Sequence, residues 1–322
     1  MTLYEKIKAK FSSSPPVTYI INRSKVTKLP GFRGVPLYDV INFFVKEVRT
    51  VGMTERASSI AFNFVMAIPP AIIFLFTLIP FFPISHQFEQ SLYSLIRDVI
   101  PGQKNNSALI KFLQDFINNP RNGLLSLGFI LSLFFSSNAV IGMMRSFDKS
   151  YHGFKKRTSL QNRIIALQIT LILFVLIFLS ILLLVGQGEV LSWLGIKSKL
   201  TRDIITNTRW IIIAFLFFAS ISYIYRHAPA VHKKWRLISP GSILATFLMI
   251  LFTIGFSFWV NHFGQFNQLY GSIGTVLILM LLIYFNSLVL LIGFELNVSI
   301  TSLRRIADER DNNLVEGSAD KK

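Results

Sequence analysis

Residues 167–186 read LQITLILFVLIFLSILLLVG and contain no charged side chain. A helix of about 20 apolar residues is long enough to cross the hydrocarbon core of a bilayer, so this stretch predicts a transmembrane helix. The whole chain of 322 residues is similarly biased, because 52% of it is hydrophobic and only 15% is charged. Soluble domains carry about 25% charged residues. The composition therefore argues against a soluble globular protein and against a disordered chain.

Five other stretches have a comparable apolar composition. The predicted spans cover residues 57–82, 123–144, 164–186, 210–225, 242–260 and 273–298. The fourth is the shortest, and it crosses the bilayer only if Arg209 and Arg226 extend to opposite membrane surfaces. The predicted fold is an all-α integral membrane protein in which six transmembrane helices form one membrane domain, residues 36–300.

The positive charge is unevenly distributed between the predicted loops. The net charge is +17, and 25 of the 33 Lys and Arg residues fall on the side that holds both termini. Cytoplasmic loops of membrane proteins are enriched in Lys and Arg, which predicts that both termini are cytoplasmic. Because this bias accounts for the charge, we expect membrane lipids as partners and no nucleic acid.

Four segments outside the predicted spans have an expected structure of their own. Residues 1–35 are expected to be a flexible cytoplasmic lead, and residues 301–322 a charged cytoplasmic tail. Residues 36–51 have helical apolar spacing, so they form an amphipathic helix that either lies at the cytoplasmic interface or packs on the ends of the bundle. Residues 83–122 contain two apolar stripes around Pro101-Gly102. They predict an outer amphipathic helical hairpin, either a lid over a cavity or a packing element.

Glu295 is the only acidic residue inside a predicted span. An ionisable group at that depth is costly and normally has a partner. Three arginines fall at the same predicted depth and are the candidate partners: Arg56, Arg145 and Arg226. Glu295 is then either part of a proton or substrate relay, or half of a structural ion pair.

Amides and prolines add further candidates within the spans. Asn63, Asn138 and Asn297, with Asn286, either bond across helices or line a polar path. The candidate polar or transport site therefore consists of Glu295, Arg226, Arg145, Asn63, Asn138 and Asn297. Pro69 and Pro70 remove backbone hydrogen bonds in the middle of the first span, so they form either a hinge beside a transport site or a static kink.

The loop that follows the fourth predicted span is basic. Lys233, Lys234 and Arg236, with Trp235 at the interface, are candidate contacts for anionic lipid headgroups. The alternative is that these residues only reflect the general enrichment of Lys and Arg in cytoplasmic loops.

No chemical motif stands out. The chain has no cysteine, no phosphate-binding glycine loop, no nucleophile elbow and no histidine spacing typical of metal ligands. We therefore expect no cofactor, no metal and no catalytic residue, and neither enzymatic activity nor ATP-driven pumping.

Three stretches resemble one family of bacterial inner-membrane proteins, the YihY/BrkB family. They are TERASSIAFNFVMAIPPAIIFLF at 54–76, YRHAPAVHKKWRLISPGSILAT at 225–246 and YGSIGTVLILMLLIYFNSLVLLIGFELN at 270–297. The resemblance implies six spans with both ends inside. The family has carried a ribonuclease BN label, a virulence-factor label and suggestions of lipid or solute export. This chain has no carboxylate cluster that would hold a nuclease metal.

These features favour a permease or exporter that moves a lipid-like or small amphipathic molecule without nucleotide hydrolysis. The alternative is a non-transporting membrane scaffold or envelope assembly factor. A cavity lined by Asn63, Asn138, Arg226 and Glu295 would favour the first, and a bundle without a continuous polar cavity the second.

Overall fold

The structure is a computed structural model that describes part of the chain. The described residues are 15–32, 34–50, 52–78, 122–148, 157–185, 199–231, 234–263 and 272–319, with isolated positions 90, 93, 107, 110, 111, 114 and 115. All regular elements in this part are α-helices, so the all-α prediction is confirmed.

Eight helices follow one another along the described chain. They are α1 (Pro15–Val26), α2 (Leu37–Thr50), α3 (Met53–Leu78), α4 (Asn122–Asp148), α5 (Ser159–Val185), α6 (Lys199–His227), α7 (Pro240–Phe263) and α8 (Ser272–Ala319).

Within the described residues, four helices are long and apolar enough to cross a membrane. The qualifying segments are Leu127–Asp148, Ser159–Ser180, Pro240–Val260 and Val276–Arg310. They lie in α4, α5, α7 and α8 and match four of the six predicted spans. The fourth predicted span corresponds to a shorter apolar segment of α6, Ile211–His227, and the first predicted span overlaps α3. The count of six spans stays a prediction.

Capping residues explain where two of these helices begin. Before α5, the Gln161 amide donates to the Thr158 hydroxyl oxygen, and the Thr158 amide donates to Gln161 Oε1 at 3.0 Å. Before α7, Ser239 and Ser242 exchange the same two kinds of bond. Both are reciprocal caps that satisfy amides left free at a helix start. Pro240 follows its cap at the first helical position, where proline loses no hydrogen bond.

The buried core lies at one end of the bundle. α3 packs against α4 and α8, and α8 also packs against α7 and α2. At their centre the rings of Phe147 and Phe294 stack with centroids 4.0 Å apart, and Tyr225 meets both edge-on. This end contains the start of α3 and the ends of α4 and α6, where the predicted cytoplasmic loops are attached. The core therefore fixes the geometry of the basic end of the bundle.

Apolar side chains cover the outward faces. On α7, an exposed stripe recurs every three or four residues, formed by Ile243, Phe247, Leu251, Ile254 and Phe258. In water such a stripe would be a large exposed apolar patch, which is unfavourable. Its exposure therefore fits a helix face that contacts lipid chains.

The segments outside the predicted spans are partly helical. α1 lies within residues 1–35, and whether that lead is flexible stays a prediction. Val40 of α2 is fully buried in a cluster with Phe32 and Ile300, which favours packing on α8 over a helix lying freely on the membrane surface. α8 continues to Ala319 through much of the predicted tail. The predicted hairpin at 83–122 lies outside the described residues, apart from the isolated helical positions and the start of α4.

The two prolines of the first predicted span do not interrupt the helix. α3 runs from Met53 through Pro69 and Pro70 to Leu78. Whether α3 bends there as a hinge stays a prediction.

Candidate functional site

A buried ion pair joins the first and last long helices of the core. Arg56 Nη1 lies 2.8 Å from Glu295 Oε1, and the two side chains are 4% and 0% exposed. Arg56 Nη2 also donates to the carbonyl oxygen of Ser146. That carbonyl is in the last turn of α4, where carbonyls lack helical partners and carry partial negative charge. Arg56 therefore holds α3, α4 and α8 together, and it is the partner of Glu295.

Asn297, two residues beyond Glu295, joins α8 to the start of α7. Its Oδ1 accepts from the Gly241 amide at 2.8 Å, and its Nδ2 donates to Ser239 Oγ at 2.9 Å. Gly241 is the second residue of α7, so its amide has no acceptor within the helix. Asn297 therefore completes the cap of α7 from a neighbouring helix.

We expect Asn297→Leu to lower the free energy of unfolding by about 1–3 kcal/mol, because it leaves the buried Gly241 amide without an acceptor. Asn286→Leu is the matched control on the same helix, since among the described residues Asn286 bonds to Leu282 O one turn away and its Oδ1 has no hydrogen-bond partner. Its effect should stay within about 0.5 kcal/mol. Reversible unfolding in mixed micelles measures both. Equal losses would contradict a stabilising role of the interhelical bonds.

The α7–α8 contact also depends on two glycines without side chains at the crossing. A Cβ at Gly293 would lie 2.5 Å from Gly241 O and 2.6 Å from the Tyr225 hydroxyl oxygen. That hydroxyl donates to Leu290 O at 2.6 Å. Gly293, Glu295 and Asn297 thus all have packing or bonding partners in the core, which gives the GFELN segment a structural role.

A polar cavity of about 600 Å³ opens beside this ion pair, between α3, α4 and α5. The volume is within the range of small-ligand pockets, about 300–1,000 Å³. Its wall is formed by Gly52, Glu55, Arg56, Ser59, Asn63, Asn138, Ile141, Gly142, Arg145, Ser146 and Arg163. Most of the wall is polar, although Ile141 and two glycines also contribute to it.

Helical spacing explains why these residues share one wall. Glu55, Ser59 and Asn63 are four residues apart, and residues at that spacing lie on one face of a helix. Asn138, Gly142 and Arg145 repeat the arrangement on α4. Gly142 faces Asn63 closely, because a Cβ there would lie 2.8 Å from Asn63 Nδ2.

Arg163 closes the cavity from α5. Its Nη1 donates to Asn138 Oδ1 at 2.8 Å and to Ser137 Oγ at 2.9 Å. Its guanidinium carbon lies 5.2 Å from the ring centroid of Phe134, the next turn up α4. The sequence prediction places Arg163 in the loop before the third span, because that span begins at residue 164. The Thr158–Gln161 cap, readable as T-x-x-Q, is the signal that places it inside a helix.

The cavity wall carries excess positive charge. Arg56, Arg145 and Arg163 are cationic and Glu55 is anionic. Glu295 neutralises Arg56, which leaves Arg145 and Arg163 against Glu55. Within the described part of the chain, neither Arg145 nor Arg163 forms an ion pair. The wall therefore attracts anions.

The predicted site residues thus fall into two groups. Asn63, Asn138 and Arg145 line the cavity, whereas Glu295 lies behind Arg56 and Asn297 caps α7. Arg226 is half-buried and does not line this cavity. Ser59, Ser146 and Arg163 join the wall in addition to the predicted residues.

The basic loop after α6 is divided between core and surface. Lys234 and Arg236 are exposed, and Lys233 lies outside the described residues. Trp235 is only 4% exposed and packs on Phe294, with ring centroids 5.5 Å apart, so its indole belongs to the core and not to the membrane surface.

Arg157 attaches this loop to the segment before α5. Its guanidinium donates to Ala228 O at 2.9 Å and to Pro229 O at 2.8 Å. Burial lowers the pKa of Arg157 from its ordinary value, and the nearby Asp148 carboxylate partly offsets this. Asp148 Oδ1 in turn accepts from the Ala230 amide at 3.3 Å. These bonds fix the end of α6 next to the ends of α4 and α5.

The apolar helices and the polar cavity define the class: an all-helical membrane protein with an anion-attracting pocket at one end of its bundle. The chain belongs to the family described as Virulence factor BrkB, whose model matches residues 44–316. This confirms the family resemblance of the three sequence stretches. No solved structure matches the chain.

Relatives from several bacteria resemble most of the chain. A ribonuclease-like protein of Bacillus subtilis, YfkH, is 26% identical over 259 residues, which are 79% of this chain and 92% of that protein. A UPF0761 membrane protein of Nitrosospira multiformis is 24% identical over 260 residues, 78% of this chain and 58% of the relative. One of Xanthomonas campestris is 23% identical over 263 residues, again covering 58% of the relative. The chain spans somewhat more than half the length of these two UPF0761 proteins.

Proposed function

We propose that this protein is a permease or exporter that moves a lipid-like or small amphipathic molecule across a bacterial inner membrane without nucleotide hydrolysis. The observation that carries the proposal is the polar cavity of about 600 Å³ between α3, α4 and α5. A helical bundle that only organises partners needs no such cavity. Arg56 and Ser146 in its wall are buried, whereas Glu55, Ser59 and Arg145 are exposed, so a ligand could reach the polar wall from outside the bundle.

The proposed topology has six spans with both termini in the cytoplasm. α3 and α6 join the four longer apolar helices as the first and fourth spans. The cavity then opens towards the cytoplasmic side, because its wall comes from the start of α3, the end of α4 and the start of α5. The excess of Lys and Arg in the adjoining loops supports this orientation.

A substitution that fills the cavity tests the proposal. Ser59→Leu adds an apolar side chain to the wall, so we expect flux to fall by at least about tenfold, equivalent to about 1.4 kcal/mol. Flux is measured with a fluorescent phospholipid analogue in vesicles that contain the reconstituted full chain. The readout is the rate at which the analogue moves between leaflets.

The adjacent serine provides the matched control. Ser58 is also exposed on α3 but does not line the cavity. Ser58→Leu should leave flux unchanged. No protein-dependent flux in the wild type, or equal loss in both variants, would contradict transport through this cavity.

A scaffold function is the second candidate, and the buried ion pair supports it. The Arg56–Glu295 pair and the Asn297 cap hold the helices together without requiring any transported molecule. Under this alternative, the purified protein would retain a second protein at fixed stoichiometry and move no lipid analogue.

A further inference from the structure

The polar cavity continues into an apolar groove on the same faces of α3 and α4. On α3, Phe62 and Met66 follow Ser59 at intervals of three and four residues and are 62% and 48% exposed. Positions at these intervals lie on one helix face. The exposed stripe therefore changes from polar to apolar within about two helical turns.

On α4 the exposed face also changes from polar to apolar, here towards the start of the helix. Above Asn138, the same face presents Phe134, Leu131 and Leu127, all exposed. From Phe134 to Leu127 the stripe rises about 10 Å along the helix. Because α3 and α4 pack side by side, their two stripes form one groove that runs away from the cavity. We refer to Phe62, Met66, Leu127, Leu131 and Phe134 as the apolar groove.

Arg163 marks the boundary between the two regions. Its guanidinium bonds to Asn138 in the cavity and lies over the ring of Phe134 in the groove. A guanidinium held in this way presents a planar set of donors that suits phosphate oxygens. Arg145, about two turns beyond Asn138 on α4, adds a second positive charge to the cavity wall.

We propose that the cavity holds the phosphate-bearing headgroup of an anionic membrane lipid while its acyl chain lies along the apolar groove. The shape supports an amphiphile, since polar and apolar surfaces adjoin on one face. The charge supports an anion, since Arg145 and Arg163 exceed Glu55. The inference rests on the proposed function and specifies the molecule carried.

Binding to the detergent-purified full chain tests the inference directly. The probes are short-chain phosphatidylglycerol, phosphatidylcholine of the same acyl length, and glycerol phosphate without acyl chains. Both lipids carry an anionic phosphate, but the cationic choline of phosphatidylcholine is repelled by Arg145 and Arg163. We therefore expect phosphatidylglycerol to bind about tenfold more tightly than phosphatidylcholine. Glycerol phosphate should bind more weakly than phosphatidylglycerol, because it leaves the groove empty.

Charge variants locate the headgroup. Arg145→Gln and Arg163→Gln should each weaken phosphatidylglycerol binding about tenfold and weaken phosphatidylcholine binding less. Arg145→Lys should retain most of the affinity, which separates loss of charge from loss of folding. Arg163→Lys should retain less, because lysine lacks the planar set of donors. Arg49→Gln is the matched control, since Arg49 is an exposed arginine on α2 outside the cavity.

Three outcomes would overturn the inference. Equal binding of the two lipids would remove the preference for an anion. Equal weakening by Arg49→Gln would indicate general attraction to a basic surface. Binding of glycerol phosphate as tight as that of phosphatidylglycerol would indicate a site for a soluble phosphate compound. Selective lipid binding without flux would support this inference and contradict the proposed transport. Flux without headgroup preference would support transport and contradict this inference.

Discussion

Glu295→Ala is expected to lower the free energy of unfolding by about 3–5 kcal/mol. The substitution leaves the Arg56 guanidinium buried at 4% exposure without its carboxylate partner, and an uncompensated buried charge is among the most destabilising defects in a protein. Reversible unfolding in mixed micelles measures the change. Glu309→Ala is the control, because the Arg305–Glu309 pair has a similar separation, 3.1 Å, but is about 60% exposed. Exposed pairs contribute about 0–1 kcal/mol.

A double substitution separates the structural role of this pair from a transport role. Arg56→Leu combined with Glu295→Leu removes both charges, and apolar replacements of buried ion pairs are often neutral or stabilising. We expect it to recover most of the stability that Glu295→Ala loses. Recovered stability with recovered flux would leave the pair a structural element. Recovered stability without flux would give the pair a role in transport, through Glu295 as a relay or through Arg56 in the cavity wall. Unchanged flux in Glu295→Gln would rule that relay out.

Gly293→Ala is expected to separate α7 from α8 and to destabilise the protein by about 1–3 kcal/mol or more, the usual cost of overpacking. Its new Cβ would meet the Gly241 carbonyl oxygen, the Tyr225 hydroxyl and the Ala245 Cβ, all within 2.7 Å. Two of these neighbours are on α7, and the third donates a hydrogen bond to Leu290. The strain therefore affects more than one contact. The loss is measured by unfolding in mixed micelles.

Gly255→Ala is the matched control for this prediction. Gly255 lies on α7 with no atom within 4 Å of its would-be Cβ. Alanine favours helix over glycine by about 1 kcal/mol, so the variant should be as stable as the wild type or more stable. A destabilised Gly255→Ala, or a fully stable Gly293→Ala, would contradict close backbone packing as the reason for glycine at position 293.

Local composition was sufficient to predict the class of fold. Uncharged runs such as residues 167–186 predict membrane helices, because the spacing of apolar residues and the length of the run depend only on neighbouring residues. The same local reasoning predicted that Glu295 has a basic partner, since an isolated carboxylate at that position would be too costly. The family also followed from short motifs that lie within single helices and loops.

Long-range packing decided which of the predicted residues meet. Arg56 is 239 residues from Glu295 in the chain, and its choice over Arg145 and Arg226 depends on how α3 and α8 pack. Trp235 illustrates the same limit, since a tryptophan in a basic loop suits the membrane surface, yet its ring packs on Phe294 in the core. Neither outcome is encoded in local periodicity.

Periodicity, hydropathy and charge were enough to predict that this protein is helical, that its helices are apolar enough for a membrane and that its buried charge needs a partner. The packing of the helices places Asn63, Asn138, Arg145 and Arg163 around one cavity and Glu295 and Asn297 in the core. Helix formation and apolar character depend on residues close in the chain, whereas a cavity exists only where the faces of separate helices meet.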